Sequence, residues 1–138
     1  NPFTICKWIE IKNISGAVIS AGTYFLALYN ETDIPNIDSQ VPTASESIPE
    51  MAIDEVLLFR NANASTPGAG NIGSSTQIIT SVCNFDGNDV ILISSTNDVA
   101  CYANRQDIVG FVPGSEWGKE RSFIRGGNFE IPEADFNI

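Results

Sequence analysis

The chain has 138 residues, 43% hydrophobic and 17% charged, and its 17 acidic and 7 basic side chains give a net charge of −10. This length suits one domain, the composition excludes a disordered chain, and no apolar run approaches the roughly 18 residues of a membrane-spanning helix. The negative charge repels phosphates and anionic lipids, so we expect neither a nucleic-acid partner nor membrane insertion.

Two strands with different patterns are predicted near the N-terminus. In TICKWIEIKN, Ile9 and Ile11 share one face while Trp8 and Glu10 share the other, the period of a half-buried strand. TYFLALY is apolar on both faces. It therefore predicts a central strand with a core on one side and a cover on the other.

The middle of the chain lacks a regular period. ETDIPNIDSQVPTASESIPE and NANASTPGAGNIGSST are rich in proline, glycine and small polar residues, which predicts surface loops and a long irregular insertion over residues 32–75. Between these two stretches, EMAIDEVLLFR is expected to open with a helical turn around Met51 and then enter a strand.

The C-terminal half again reads as short strands: TQIITSV, DVILIS, DVACYA, DIVGFV and RSFIR. In DVILISSTNDVACYA the polar segment Ser94–Asp98 predicts the turn of an antiparallel hairpin. About eight short strands in all predict a single all-β domain over residues 1–138, a sandwich or a barrel.

One turn has the side chains of a calcium loop. NFDGNDVILI gathers the oxygen ligands Asp86, Asn88 and Asp89 around Gly87, but the EF-hand template fails because Val90 stands where another ligand is needed. One interpretation is a turn in which the Asx side chains bond local backbone. The other is a loop-bound calcium ion of different geometry, and we expect no other cofactor.

Catalytic machinery is not indicated. Histidine is absent, which excludes imidazole metal sites and His-based triads, and no GxSxG elbow occurs. Asp54 and Glu55 would point to opposite faces of a strand. Glu116 and Glu120 lie among basic neighbours in a glycine-rich loop. We therefore predict a protein that is not an enzyme, with a carboxylate-based hydrolase as the remaining alternative.

Cysteines and asparagines offer possible covalent sites. Cys83 and Cys101 flank the DVILIS strand, so they would form a disulfide if neighbouring strands brought them together; buried free thiols are the alternative. Asn-X-Ser/Thr acceptor patterns begin at Asn13, Asn30 and Asn63.

Aromatic side chains are the candidate ligand contacts. Trp117 lies in the polar loop GSEWGK, where it either exposes its ring to a sugar or folds back over an open end of the domain. Burying it would remove on the order of 200 Å² from water, which favours the second interpretation. Trp8 and Tyr102 are the other stacking candidates.

Four segments, taken in order, resemble the lamin-tail family in its bacterial extracellular form. KWIEIKNISGAVIS is similar to the family's first strand, with Glu10 and Asn13 in its Glu and Asn positions. NFDGNDVILI resembles the family's F-N-G-D-D turn, and DIVGFVPGSEWG resembles its D-V-I-G … P-G-x-x-W-G segment. RSFIR stands where the family has TLVRK.

The resemblance implies an immunoglobulin-like antiparallel β-sandwich without catalytic residues, in which Trp117 is structural. It also implies an extracellular or cell-surface location and a role in protein or glycan contacts or in spacing other domains. The alternative function is a carbohydrate-binding module, possibly calcium-dependent. The identity of the partner and the oligomeric state stay open.

Overall fold

The computed structural model describes residues 7–62, 76–110, 124–125 and 136–137. These residues form nine short strands: β1 Trp8–Lys12, β2 Phe25–Tyr29, β3 Ala44–Ser47, β4 Val56–Arg60, β5 Thr76–Ile79, β6 Val90–Ser94, β7 Arg105–Val109, β8 Ile124–Arg125 and β9 Phe136–Asn137. Two short 3₁₀ helices cover Ile34–Asn36 and Ser81–Asn84. In this part of the chain no helix is long and apolar enough to cross a membrane.

The strands form two main sheets that pack against each other. The three-stranded sheet has the order β1-β4-β5 and the four-stranded sheet the order β3-β2-β6-β7, while β8 and β9 pair with each other. All described pairs are antiparallel except β4 with β5, which is parallel. The chain is therefore an all-β sandwich, as its sequence predicts.

The main core lies between the two sheets. Its buried members come from both sheets and from the connections between them: Leu26, Leu28, Ile48, Met51, Leu57, Phe59, Val82, Cys83 and Ile91. Ile9 and Ile11 pack against this cluster, whereas Trp8, Glu10 and Lys12 are exposed. The alternation predicted for the first strand is confirmed.

A second core covers the opposite face of the four-stranded sheet. Ala27, Tyr29, Val90, Leu92 and Ile108 project from the strands into it, and Ile34, Ile37 and Cys101 close it from the connecting segments. Because consecutive strand residues point to opposite faces, β2 is buried on both sides. This arrangement confirms the central strand that TYFLALY predicts.

The predicted hairpin after β6 is wrong in its second strand. Residues 98–104, which include DVACYA, form successive turns, and β6 pairs instead with β7. Local hydrogen bonds hold these turns: Asp98 Oδ1 accepts from the Ala100 N–H at 2.8 Å, and the Asn104 N–H donates to the Ala100 carbonyl at 3.0 Å. Such short-range bonds compete with a strand ladder, and here they prevail over the β-rich composition.

The segment ETDIPNIDSQVPTASESIPE is also more ordered than predicted. The 3₁₀ turn places Ile34 and Ile37 in the second core, and β3 adds an edge strand beside β2. The helical turn expected around Met51 does not form either. Met51 instead makes an isolated antiparallel bridge with Ile19, with backbone hydrogen bonds of 2.9 Å in both directions.

Candidate functional site

The outer face of the three-stranded sheet carries the exposed tryptophan. Trp8 is 42% exposed and lies opposite Arg60 in the β1–β4 register, and Arg60 lies opposite Ile79 in the β4–β5 register. The Arg60 Nε donates to Gln77 Oε1 at 3.0 Å, which fixes two planar polar groups beside the indole. In the adjacent row Leu58 is buried, so the open part of this face is the end that bears Trp8.

The other two stacking candidates are placed differently. Tyr102 is half-buried against the second core, and the Arg105 guanidinium lies 4.1 Å from its ring centroid. Arg105 also donates to the Tyr102 carbonyl at 3.0 Å, so one face of the ring is occupied by a held cation. Trp117 lies outside the described residues. Among the described candidates, Trp8 is the more exposed platform.

The Asp86–Asp89 turn uses its polar side chains within the fold. Asp89 is 5% exposed, and its Oδ1 and Oδ2 accept from the backbone N–H groups of Glu31 and Asp86 at 3.0 and 2.9 Å. Asn88 donates through its side-chain amide to the Glu31 carboxylate. These bonds tie the turn to the end of β2, which is the arrangement that the turn interpretation predicts.

Calcium has little free donor capacity to use in this turn. Burial is the largest cause that raises the pKa of the Asp89 carboxyl, partly opposed by its two backbone hydrogen bonds. Within residues 7–62 and 76–110, no three His, Cys, Asp or Glu side chains are grouped so that they could hold a metal ion. A bound ion would have to displace the hydrogen bonds that the Asp89 carboxylate already accepts.

The predicted disulfide does not form. Cys83 and Cys101 are both free and fully buried, Cys83 in the core between the sheets and Cys101 in the second core. The flanking position of the two residues along the chain is correct, but they belong to clusters on opposite faces of the four-stranded sheet. The alternative of buried free thiols describes both residues.

Both thiols should resist alkylation in the native protein. Burial raises the pKa of the Cys83 thiol to about 12, and it also raises that of Cys101, so neither forms the reactive thiolate near neutral pH. In a Cys6→Ser background, we expect mass spectrometry to find no iodoacetamide adduct at pH 8 until urea unfolds the chain. Rapid labelling of Cys83 in the folded state would contradict this placement.

The same burial predicts a loss of stability in alkali. Because the folded pKa of Cys83 lies above the unfolded value of about 8.5, the native state binds more protons than the unfolded state above that pH. The stabilising contribution is therefore complete below about pH 8.5 and is lost as pH rises toward 12. Urea titrations from pH 8 to 10.5 should show a shallower decline for Cys83→Val than for the wild-type protein.

A site that the sequence did not indicate surrounds Asn13, the first residue after β1. Its side chain is buried and makes five hydrogen bonds, donating to Ala17, Met51 and Ala52 carbonyls and accepting from the Ser15 N–H and hydroxyl. The Asn13 acceptor pattern is therefore closed in the folded state. These bonds lock the loop after β1 against the segment before β4.

The apolar end of the sandwich, defined here as Ile14, Val18 and Ile53, lies on this locked pair of segments. The three side chains are 53%, 56% and 53% exposed. Ile53 lies at the tip of a turn closed by the Glu55 N–H and the Ala52 carbonyl at 3.1 Å, in which Asp54 has a φ of 62°. Nothing in the period of the surrounding sequence distinguishes these residues from ordinary strand positions.

The carboxylate pairs are separated or outside the described structure. Asp54 is exposed in this turn, whereas Glu55 is half-buried and its Oε1 accepts from the Ala52 N–H at 2.8 Å. The Glu55 carboxylate therefore closes the turn from within. Glu116 and Glu120 lie outside the described residues.

No family model matches this chain, and no curated protein matches it.

Proposed function

We propose that this domain is a non-catalytic module of a secreted or cell-surface bacterial protein that makes protein or glycan contacts or spaces other domains. The observation that carries the proposal is a division of roles among its side chains. Tyr29, Cys83, Cys101 and Asp89, the groups whose pKa burial raises, are all enclosed within the fold. What the described surface exposes is apolar contact area. The motif order of the lamin-tail resemblance supports the surface location.

The proposal is tested by assaying turnover and binding on the same material. We expect no release of reducing ends or amines from a panel of polysaccharides and peptides. Turnover by the wild-type domain that Asp54→Asn or Glu116→Gln abolishes would replace the module with a carboxylate-based hydrolase.

Carbohydrate binding is the second candidate function, and the exposed indole of Trp8 favours it. A Trp ring beside planar hydrogen-bonding groups suits a sugar, whose axial hydrogens stack on the ring while its hydroxyls bond the polar neighbours. Here those neighbours are Arg60 and Gln77, joined by their own hydrogen bond. A calcium-dependent mode through Asp86, Asn88 and Asp89 belongs to this candidate.

A thermal-unfolding screen distinguishes the two candidates. A ligand at about 100 times its Kd adds roughly 2.7 kcal/mol, a shift of several degrees for a domain of this size. If the module binds glycans, a polysaccharide should raise Tm saturably, and Trp8→Ala should abolish the shift. Trp117→Ala serves as the matched aromatic control. Dependence of the shift on added calcium, reversed by EDTA, would implicate the Asp86 turn.

A further inference from the structure

The apolar end differs from the other exposed apolar residues because its three members share one rigid unit. The Asn13 side chain donates to the carbonyl of Ala17, next to Val18, and to that of Ala52, next to Ile53. The Asp54 N–H donates back to the Asn13 carbonyl at 3.1 Å, on the other side of Ile53. Ile14 follows Asn13 directly. One buried amide therefore organises the backbone beneath all three side chains.

This rigidity makes the apolar end suitable for binding. Association costs about 0.5–1.5 kcal/mol for each rotamer-rich side chain that it immobilises, and ordering a loop costs more. Ile and Val are branched at Cβ and have restricted χ1 angles before any partner arrives. Their backbone is already held by hydrogen bonds, so a partner that covers them loses little free energy to ordering.

The charges around the apolar end indicate what kind of partner fits. Glu50 and Asp54 are exposed acids adjacent to Met51 and Ile53, and the exposed Lys12 is the base nearest in sequence. The whole chain carries a net charge of −10. A second copy would bring the same acids together, and an anionic lipid surface would be repelled. Basic side chains beside an apolar contact would complement this rim.

We propose that the apolar end is a docking surface for a protein segment that presents an apolar side chain flanked by Lys or Arg. The inference deepens the proposed module function and rests on it. Ile53 is central because its turn projects it between the two locked segments, and Asp54 beside it supplies the charge that selects a basic partner.

The test uses a phage-displayed library of random 12-residue peptides selected on the complete chain. We expect enriched peptides to combine an aliphatic or aromatic residue with Lys or Arg. For the synthesised peptides, Ile53→Ser should raise the Kd at least tenfold. Val99→Ser is the matched control, because Val99 is 55% exposed and lies in the loop after β6, and it should leave the Kd unchanged. Asp54→Asn keeps a residue that tolerates a positive φ, and it should weaken binding severalfold and reduce its dependence on salt.

Several outcomes would overturn the proposal. Failure of any peptide to enrich would do so, as would enriched peptides that lack basic residues. Peptides that bind the wild-type chain and Ile53→Ser equally would locate binding elsewhere and leave the module function standing. A dimer in sedimentation equilibrium that Ile53→Ser dissociates would assign the apolar end to a second copy, and binding to neutral phosphatidylcholine vesicles that Ile53→Ser abolishes would assign it to lipid.

Discussion

Replacing Asn13 with alanine should destabilise the domain by about 3–4 kcal/mol, because buried polar groups that lose their partners cost about 1–3 kcal/mol each. The substitution removes donors from the carbonyls of Ala17, Met51 and Ala52 and the acceptor that Ser15 uses. These contacts join segments 38 residues apart in the chain. Urea unfolding monitored by circular dichroism would measure the effect.

Two further variants separate the network from mere loss of volume. Ser15→Ala removes one hydroxyl that bonds Asn13 Oδ1 at 2.7 Å, and it should cost about 1 kcal/mol or less. Asn13→Asp keeps the shape but turns acceptor oxygens toward three carbonyls, so it should be at least as damaging as alanine. A loss below about 1 kcal/mol for Asn13→Ala would show that water replaces the amide and that the loops are not held by it.

How far the sequence predicts this fold depends on whether side-chain periodicity or local hydrogen bonding decides a segment. β1, β2, β4 and β6 follow from alternation or from apolar runs, since burial on one or two faces leaves a pattern at period two. β3 does not, because ASES is polar and forms a short edge strand, the kind of strand that needs no apolar face. DVACYA has strand composition, yet Asp98 turns it back on itself.

The candidate sites show the same limit. Trp8 could be predicted as an outward-facing residue because its neighbours alternate, and the structure places it on the outer face. The disulfide could not be judged, since it depends on which face of the four-stranded sheet each cysteine reaches. The apolar end was not predicted at all. Ile14 and Ile53 become neighbours of one network only through Asn13, a contact that no local pattern encodes.

The second core should contribute as much to stability as the core between the sheets, and adjacent residues of β6 provide the comparison. Ile91 is 5% exposed and faces the first core, whereas Leu92 is 1% exposed and faces the second. Ile91→Ala and Leu92→Ala each remove three carbon atoms from the same strand. We expect each variant to lose about 2–4 kcal/mol of unfolding free energy, from lost transfer energy and the cavity left behind.

The comparison also tests how the domain uses its connecting segments. Ile34 and Ile37 from the 3₁₀ turn and Cys101 from the loop after β6 form the outer wall of the second core. If that wall were loosely packed, water would enter and Leu92→Ala would cost less than about 1 kcal/mol while Ile91→Ala kept its full effect. Val99→Ala, on the exposed part of the same loop, should change stability by no more than about 0.5 kcal/mol. Equal losses at positions 91 and 92 would mean that the stability of the four-stranded sheet depends on both of its faces, so the segments over its outer face are integral to the fold.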